Sequence, residues 1–185
     1  MTKLIGIYAP YPLSGKGEVL KVFQEHGYQE ITFARVVKET MMAFLIGLGV
    51  PEDIAYWHLY EEGKEEVIDI LGITGGQLLS TFATKFVRNT INENIWLWRG
   101  LDDITEYLED NPEPTGFISQ DLRFFNEYEK CDITIRLVRK GVDSHTRAEE
   151  SEGNLEDVPH TYYVENNGTL EELHDKIEDI IKEIG

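Results

Sequence analysis

Leu4-Ile5-Gly6-Ile7-Tyr8, followed by Ser14-Gly15-Lys16-Gly17 and then by Val19, Leu20 and Phe23, is the stretch on which the reading of this chain turns. A short apolar run, a turn holding glycines and a helical apolar period make a strand, a loop and a helix in that order. Glycines let backbone N–H groups close on an oxyanion, and the helix N-terminus adds partial positive charge. Lys16 adds a point charge that reaches outer phosphates. The stretch therefore reads as a phosphate-binding loop of the G-x-x-x-x-G-K-[ST] type, with Leu13, Ser14, Gly15, Lys16, Gly17 and Glu18 as candidate contacts. It departs from the full pattern. Pro10 stands at the first glycine position, Gly17 follows Lys16, and Glu18 stands where a Gly-Lys-Gly-Thr variant of the loop has its threonine. Pro10 and Pro12 have no N–H to donate. A bare Ser-Gly-Lys marks no more than a helix start; the flanking strand and helix make it a candidate site.

The bulk composition narrows the function classes. The chain has 185 residues, room for one domain with a sizeable core. Its formal net charge of −18 excludes nonspecific binding to a nucleic-acid backbone, though a local basic cluster can still serve a nucleotide. No apolar run is long enough to span a bilayer, and no signal-like start is present, so no membrane association is expected. The single cysteine, Cys131, forms no internal disulfide and fits a reducing cytoplasm. No Cys/His cluster has zinc-like spacing.

Periodicity predicts strands at Lys3–Tyr8, Tyr28–Phe33, Gly116–Gln120, Ile133–Val138 and Tyr162–Val164. Helices are predicted at Lys16–His26 with Gly27 as C-cap, Ala34–Leu48, Pro51–Leu71 with a break at Gly63, Gly75–Val87 and Asn94–Leu108. The last, Thr169–Ile184, starts with a capping box of Thr169 and Glu172. Strands alternating with helices predict an α/β fold with a mostly parallel sheet flanked by helices. The single domain, 1–185, carries a helical insert at about 36–108 and a polar, lid-like loop at about 139–158. Asp121 comes directly after an apolar strand, which in an open parallel sheet puts it and Arg123 beside the phosphate loop.

These blocks together resemble the deoxynucleoside monophosphate kinases of bacteriophages, a branch of the P-loop nucleoside monophosphate kinases. The resemblance runs over nearly the whole chain. Besides Ser14-Gly15-Lys16 it rests on Ile31-Thr32-Phe33-Ala34 with Lys38, and on Leu78-Leu79 with Thr84, Arg88 and Ile95-Trp96. It rests also on Asp121-Leu122-Arg123-Phe124-Phe125-Asn126-Glu127, similar to Asp-x-Arg-Phe-x-Asn-Glu and the most specific block. Ile135–Arg139 and Asn166-Asn167-Gly168-Thr169-Leu170 complete it. Arg35, Gly76 and Ser80 depart from the family, as Pro10 and Glu18 do.

The resemblance implies the P-loop NTPase fold, a cytoplasmic enzyme of nucleotide biosynthesis, phage-encoded, and a homodimer. It implies transfer of a phosphoryl group from ATP, with Mg2+, to a deoxynucleoside monophosphate. The acceptor phosphate is already anionic, so catalysis rests on alignment and charge neutralisation rather than on a base. Lys16, Arg123, Asp121 and Arg139 are the candidate catalytic residues. Lys38, Arg88, Trp96 and Arg123 are the candidate contacts to the acceptor, and Ser14 or Asp121 would hold Mg2+, through water. Each has a plainer reading. Asp121–Arg123 is also a structural ion pair, Arg88 and Lys38 also suit a solvated helix face, and Trp96 also suits a core. Arg139, Lys140 and Arg147 form either a lid or a solvated loop. Two functions follow: an active nucleotide kinase, or a catalytically weak P-loop protein acting as a binding or regulatory module.

Overall fold

The computed structural model describes residues 2–11, 13–33, 35–142, 155 and 157–185. The chain divides into two compact units, one of residues 1–33 and 100–185, the other of residues 34–99.

The first unit is built on a five-stranded sheet. Its strands are β1 (Lys3–Tyr8), β2 (Tyr28–Glu30), β5 (Gly116–Ser119), β6 (Ile133–Val138) and β7 (Tyr162–Glu165). They lie in the order β2-β5-β1-β6-β7, and every neighbouring pair is parallel. Ile5 pairs with Ile118 on one side and Ile133 on the other, so the apolar run of β1 forms the middle of the sheet. A central parallel strand is covered on both faces, which is why Leu4 to Tyr8 is buried without polar alternation.

Ile5, Ile7, Ile118, Ile135 and Leu137 share one core with two helices, α1 (Lys16–Glu25) and α7 (Leu170–Ile184). The α1 side contributes Val19, Leu20, Val22 and Phe23; α7 contributes Leu173, Ile177, Ile181 and Ile184. Each such side chain stabilises by about 1.5–3 kcal/mol on burial. The opposite face carries Phe117, whose ring meets Tyr107 edge-on at 5.6 Å. Tyr107 belongs to α5 (Ile95–Asp110). The sequence places the end of the insert at about 108, whereas residues from Gly100 onward pack with the first unit. Gly100 explains the change of allegiance: a Cβ there would come within 2.5 Å of the Phe33 ring.

The second unit is mostly helical. Val37, Met41 and Leu45 of α2 (Arg35–Gly47) pack with Ala55 and Leu59 of α3 (Glu52–Tyr60). Leu78 and Leu79 of α4 (Gly75–Ser80), with Val87 and Trp96, complete this core. Two expectations for this region are corrected. Residues 51–71 do not stay helical: α3 ends at Tyr60, a 3₁₀ turn spans Glu62–Glu65, and β3 (Val67–Ile68) pairs antiparallel with β4 (Ile73–Thr74). Gly63 sits so close to the Trp57 ring that no side chain fits there, and Gly72 turns the hairpin at φ +66°. The helix expected over 75–87 begins as α4, with Thr74 and Gln77 in a reciprocal capping box, then widens into an 11-residue π-helix, Thr81–Ile91. The Trp96 indole donates to the Ala83 carbonyl at 3.0 Å. A side-chain donor set into a helix ladder is a recognised cause of altered spacing.

Candidate functional site

Because every strand pair in the first unit is parallel, the carboxyl ends of the strands gather at one edge of the sheet. The loop after β1 lies at the point where the chain order reverses, with β5 and β2 on one side and β6 and β7 on the other. Its backbone is unusual at two residues. Leu13 has φ +61°, and Gly15, the N-cap of α1, has φ +100°. No side chain caps α1. Glycine is a common N-cap residue, and α3 also starts without a side-chain cap, so the open helix start is compatible with an anion-binding loop without marking one.

The surroundings of the loop hold its carbonyls back. The Asn166 amide, just past β7, donates to the Ser14 carbonyl at 3.0 Å, and Arg139, just past β6, reaches the Leu13 carbonyl at 3.5 Å. In a planar trans peptide the C=O and the following N–H point in opposite directions. Tying back the Leu13 and Ser14 carbonyls therefore turns the Ser14 and Gly15 N–H groups the other way, away from Asn166 and Arg139. The Ser14 hydroxyl is buried and donates to the Tyr11 carbonyl at 2.7 Å, which closes the turn from within. Glu18 is occupied farther along the helix: its carboxylate binds the Lys21 ammonium at 2.6 Å and lies 4.0 Å from His174 of α7.

Across the edge, β5 ends at Ser119, and Gln120 and Asp121 follow it. The Arg123 Nε donates to Asp121 Oδ1 at 3.1 Å, and both side chains are about one-third exposed. The turn that carries them is set by Glu127, a buried carboxylate that accepts from the backbone N–H of Arg123 at 3.0 Å and of Phe124 at 3.1 Å. Glu127 is the N3 residue of the short helix α6 (Phe125–Tyr128), which explains the spacing of Asp-x-Arg-x-x-x-Glu: two residues present charge, and the third fixes the turn.

The remaining candidates lie on the second unit. Arg88 is buried, on the π-helix. The Lys38 ammonium stands 4.9 Å from the centre of the Tyr60 ring. Trp96 is buried in the second core, tilted against Phe82 at 6.2 Å. Arg147, His145 and most of the expected lid fall outside the described residues; Lys140 lies within them, its N–H bonded to Asn167 Oδ1 at 2.8 Å. Asn166 and Gln120 were not singled out as site residues by sequence reasoning. The available signal was their position at or just past the carboxyl ends of predicted strands: Gln120 is the last residue of one, and Asn166 lies two residues past another.

No family model and no curated protein matches the chain. Solved structures do. TT1252 from Thermus thermophilus aligns over 100% of this chain and 98% of its own, at 14% identity and a TM-score of 0.55. Dephospho-CoA kinase from Campylobacter jejuni aligns over 100% of this chain and 98% of its own, at 11% identity and a TM-score of 0.52. The mostly parallel five-stranded sheet flanked by helices matches a P-loop kinase-like α/β fold. At these identities the likeness concerns the fold alone. No helix among the described residues is long and apolar enough to cross a membrane.

Proposed function

We propose that the protein is a nucleotide kinase that moves the terminal phosphoryl group of ATP to a deoxynucleoside monophosphate, giving the diphosphate and ADP. One observation carries the reading: an uncapped helix start behind a loop whose carbonyls are tied back by Asn166 and Arg139. Backbone N–H groups left open at a helix start suit a polyphosphate. The dNMP acceptor rests on the sequence resemblance, above all on Asp121 to Glu127.

ATP suits the residues present. The N–H groups of the loop and the Lys16 ammonium would hold its β- and γ-phosphates, with Leu13 to Gly17 as the backbone cradle. Among the described residues no group of three or more His, Cys, Asp or Glu side chains could enclose a metal ion. That donor set fits Mg2+ arriving with the nucleotide, which keeps its waters and needs only one or two protein oxygens. Asp121 or Ser14 would hold that ion, through water; Asp121 is the better placed, since the Ser14 hydroxyl is buried and donates to the Tyr11 carbonyl. Bound there, Mg2+ supplies charge neutralisation at the phosphates.

Arg123 is pre-aligned by Asp121 and by the turn that Glu127 holds. Its planar guanidinium would bridge oxygens of the phosphoryl group in transfer. Arg139, already at the loop, would add a second positive charge. The sequence resemblance gives Arg88 and Lys38 as contacts to the acceptor phosphate, and within their unit Trp96 anchors the π-helix that carries Arg88 through Ala83. The loop lacks a hydroxyl after Lys16, and this favours the second reading, a P-loop protein that binds nucleotide with little turnover.

A coupled ADP-release assay separates the two. It would contain ATP, Mg2+ and each of the four deoxynucleoside monophosphates in turn. Dephospho-CoA, the substrate in the name of the Campylobacter jejuni neighbour, and a no-acceptor control complete the panel. Acceptor-dependent turnover that is lost in Lys16→Ala and reduced by about 10²-fold or more in Arg123→Ala establishes the kinase. Nucleotide binding without turnover on any acceptor establishes the second reading.

A further inference from the structure

The candidate phosphate loop has no hydroxyl at either position after Lys16: Gly17 stands where the G-K-[ST] pattern has one, and Glu18 stands where a Gly-Lys-Gly-Thr loop has one. Gly17 is exposed, and the space around it is open enough for a side chain: the nearest atom to a Cβ built there is Gln120 Oε1, at 3.7 Å. An oxygen thus stands within contact distance of where a side chain at position 17 would begin. Its identity as the oxygen, rather than the nitrogen, of the amide follows from the other end of the group. Gln120 Nε2 donates to Glu30 Oε1 at 3.0 Å, and a carboxylate can only accept. Glu30 ends β2 and Gln120 directly follows β5, its neighbour in the sheet, so the pair is built on adjacent strands rather than on a free loop. A carbonyl oxygen is a ligand for a hard cation or its water and repels a phosphate oxygen.

We propose that Gln120 replaces the missing P-loop hydroxyl. Its Oε1 is the protein oxygen offered beside Gly17 to the Mg2+ of the bound nucleotide, and Glu30 fixes its orientation. The assignment rests on the nucleotide-kinase reading and deepens it. Two elements share the task that one residue performs in the standard loop. A P-loop bearing Gly17 can then keep its dependence on the metal.

The test is the ratio of ATP affinities in Mg2+ and in EDTA, measured by calorimetry without acceptor, so that it reads binding rather than turnover. The parent protein is expected to bind ATP more tightly with Mg2+. Gln120→Ala and Gln120→Met, the second of which keeps the length and loses the oxygen, should lower that ratio about tenfold, within the usual range for coupling between two ligands. Their affinity in EDTA should stay near that of the parent. Gly17→Ser in the Gln120→Ala background should restore the ratio, because it returns a hydroxyl to the loop. Glu30→Gln should lower the ratio less than Gln120→Ala. Melting temperatures without nucleotide show that each variant is folded.

An unchanged ratio in both Gln120 variants, a rescue that fails, or a larger loss in Glu30→Gln than in Gln120→Ala overturns the assignment while the ATP site stands. So does a parent that binds ATP equally well with and without Mg2+. A parent that binds no ATP under either condition overturns the kinase reading, and the assignment with it.

Discussion

At the scale of single residues, the phosphate loop depends on backbone geometry that only glycine adopts at low cost. Gly15 combines φ +100° with an Asn166 amide 2.5 Å from the site of a Cβ. Gly15→Ala is expected to cost about 1–2 kcal/mol from the left-handed backbone alone. It should also abolish stabilisation by ATP, because Asn166 can no longer hold the Ser14 carbonyl. Thermal melts with and without saturating ATP check both parts; an intact ATP shift would contradict the role given to Asn166. On the far side of β1, Gly6 lies under Cys131 and Leu122, with Sγ 2.7 Å from the position of a Cβ. Burial first, then the carboxylates of Glu127 and Asp132, push the Cys131 thiol from 9.0 up to about 12. A raised pKa stabilises the fold below the unfolded value, and that contribution is lost as pH climbs through the folded one. Stability should therefore fall between about pH 9 and 12, with Tyr8 and Tyr28, also raised by burial, adding to the loss. Cys131 should react with a disulfide reagent at pH 8 only after denaturation. Rapid labelling of the folded protein would show that the thiol is neither packed nor neutral. The lysine and the glycines of the loop were legible in the sequence. Asn166 was not, since nothing local relates it to Ser14, 152 positions away.

At the scale of elements, the strongest local signals marked real boundaries. The capping box at Thr169 and Glu172 is present in both directions, at 3.1 and 3.2 Å, and the apolar stripe of α7 is the stripe it buries. Thr169→Ala is expected to cost about 1 kcal/mol. Denaturant unfolding should show a lower midpoint at unchanged slope; no change would mean that tertiary packing alone holds the start of α7. The elements misread from sequence share a physical cause. The hairpin at Val67–Thr74 is too short to show a period of two, and acidic residues around it imitate a solvated helix face. The π-helix has the composition of an α-helix; its wider spacing accompanies the Trp96 bond to Ala83, which no local pattern reveals. Glu127 is the opposite case, since its offset from Arg123 encodes a turn directly.

At the scale of the whole molecule, the chain carries a net charge of −18 while its candidate phosphate ligands are cations. Self-repulsion among carboxylates opposes compactness and is screened by salt. Raising sodium chloride from about 0.1 M to about 1 M shortens the screening length from about 10 Å to about 3 Å. The melting temperature of the nucleotide-free protein should rise over that range, and ATP affinity should fall, because the same salt screens Lys16 and Arg123 from phosphate. A melting temperature that drops instead would show that attractive ion pairs, not repulsion, dominate the surface. The sequence by itself determined the α/β order, the strand-loop-helix order around Lys16, the strand that precedes Asp121 and Arg123, and the amphipathic helices that cover the sheet. These are properties of neighbours in the chain, where period, glycine and capping chemistry act. Only the tertiary structure decided that Asn166 and Arg139 tie back the loop, that Gln120 stands over Gly17, and that Trp96 anchors the helix bearing Arg88. Those relations join residues from separate segments, and the parallel sheet brings three of them to one edge because its strands all end there.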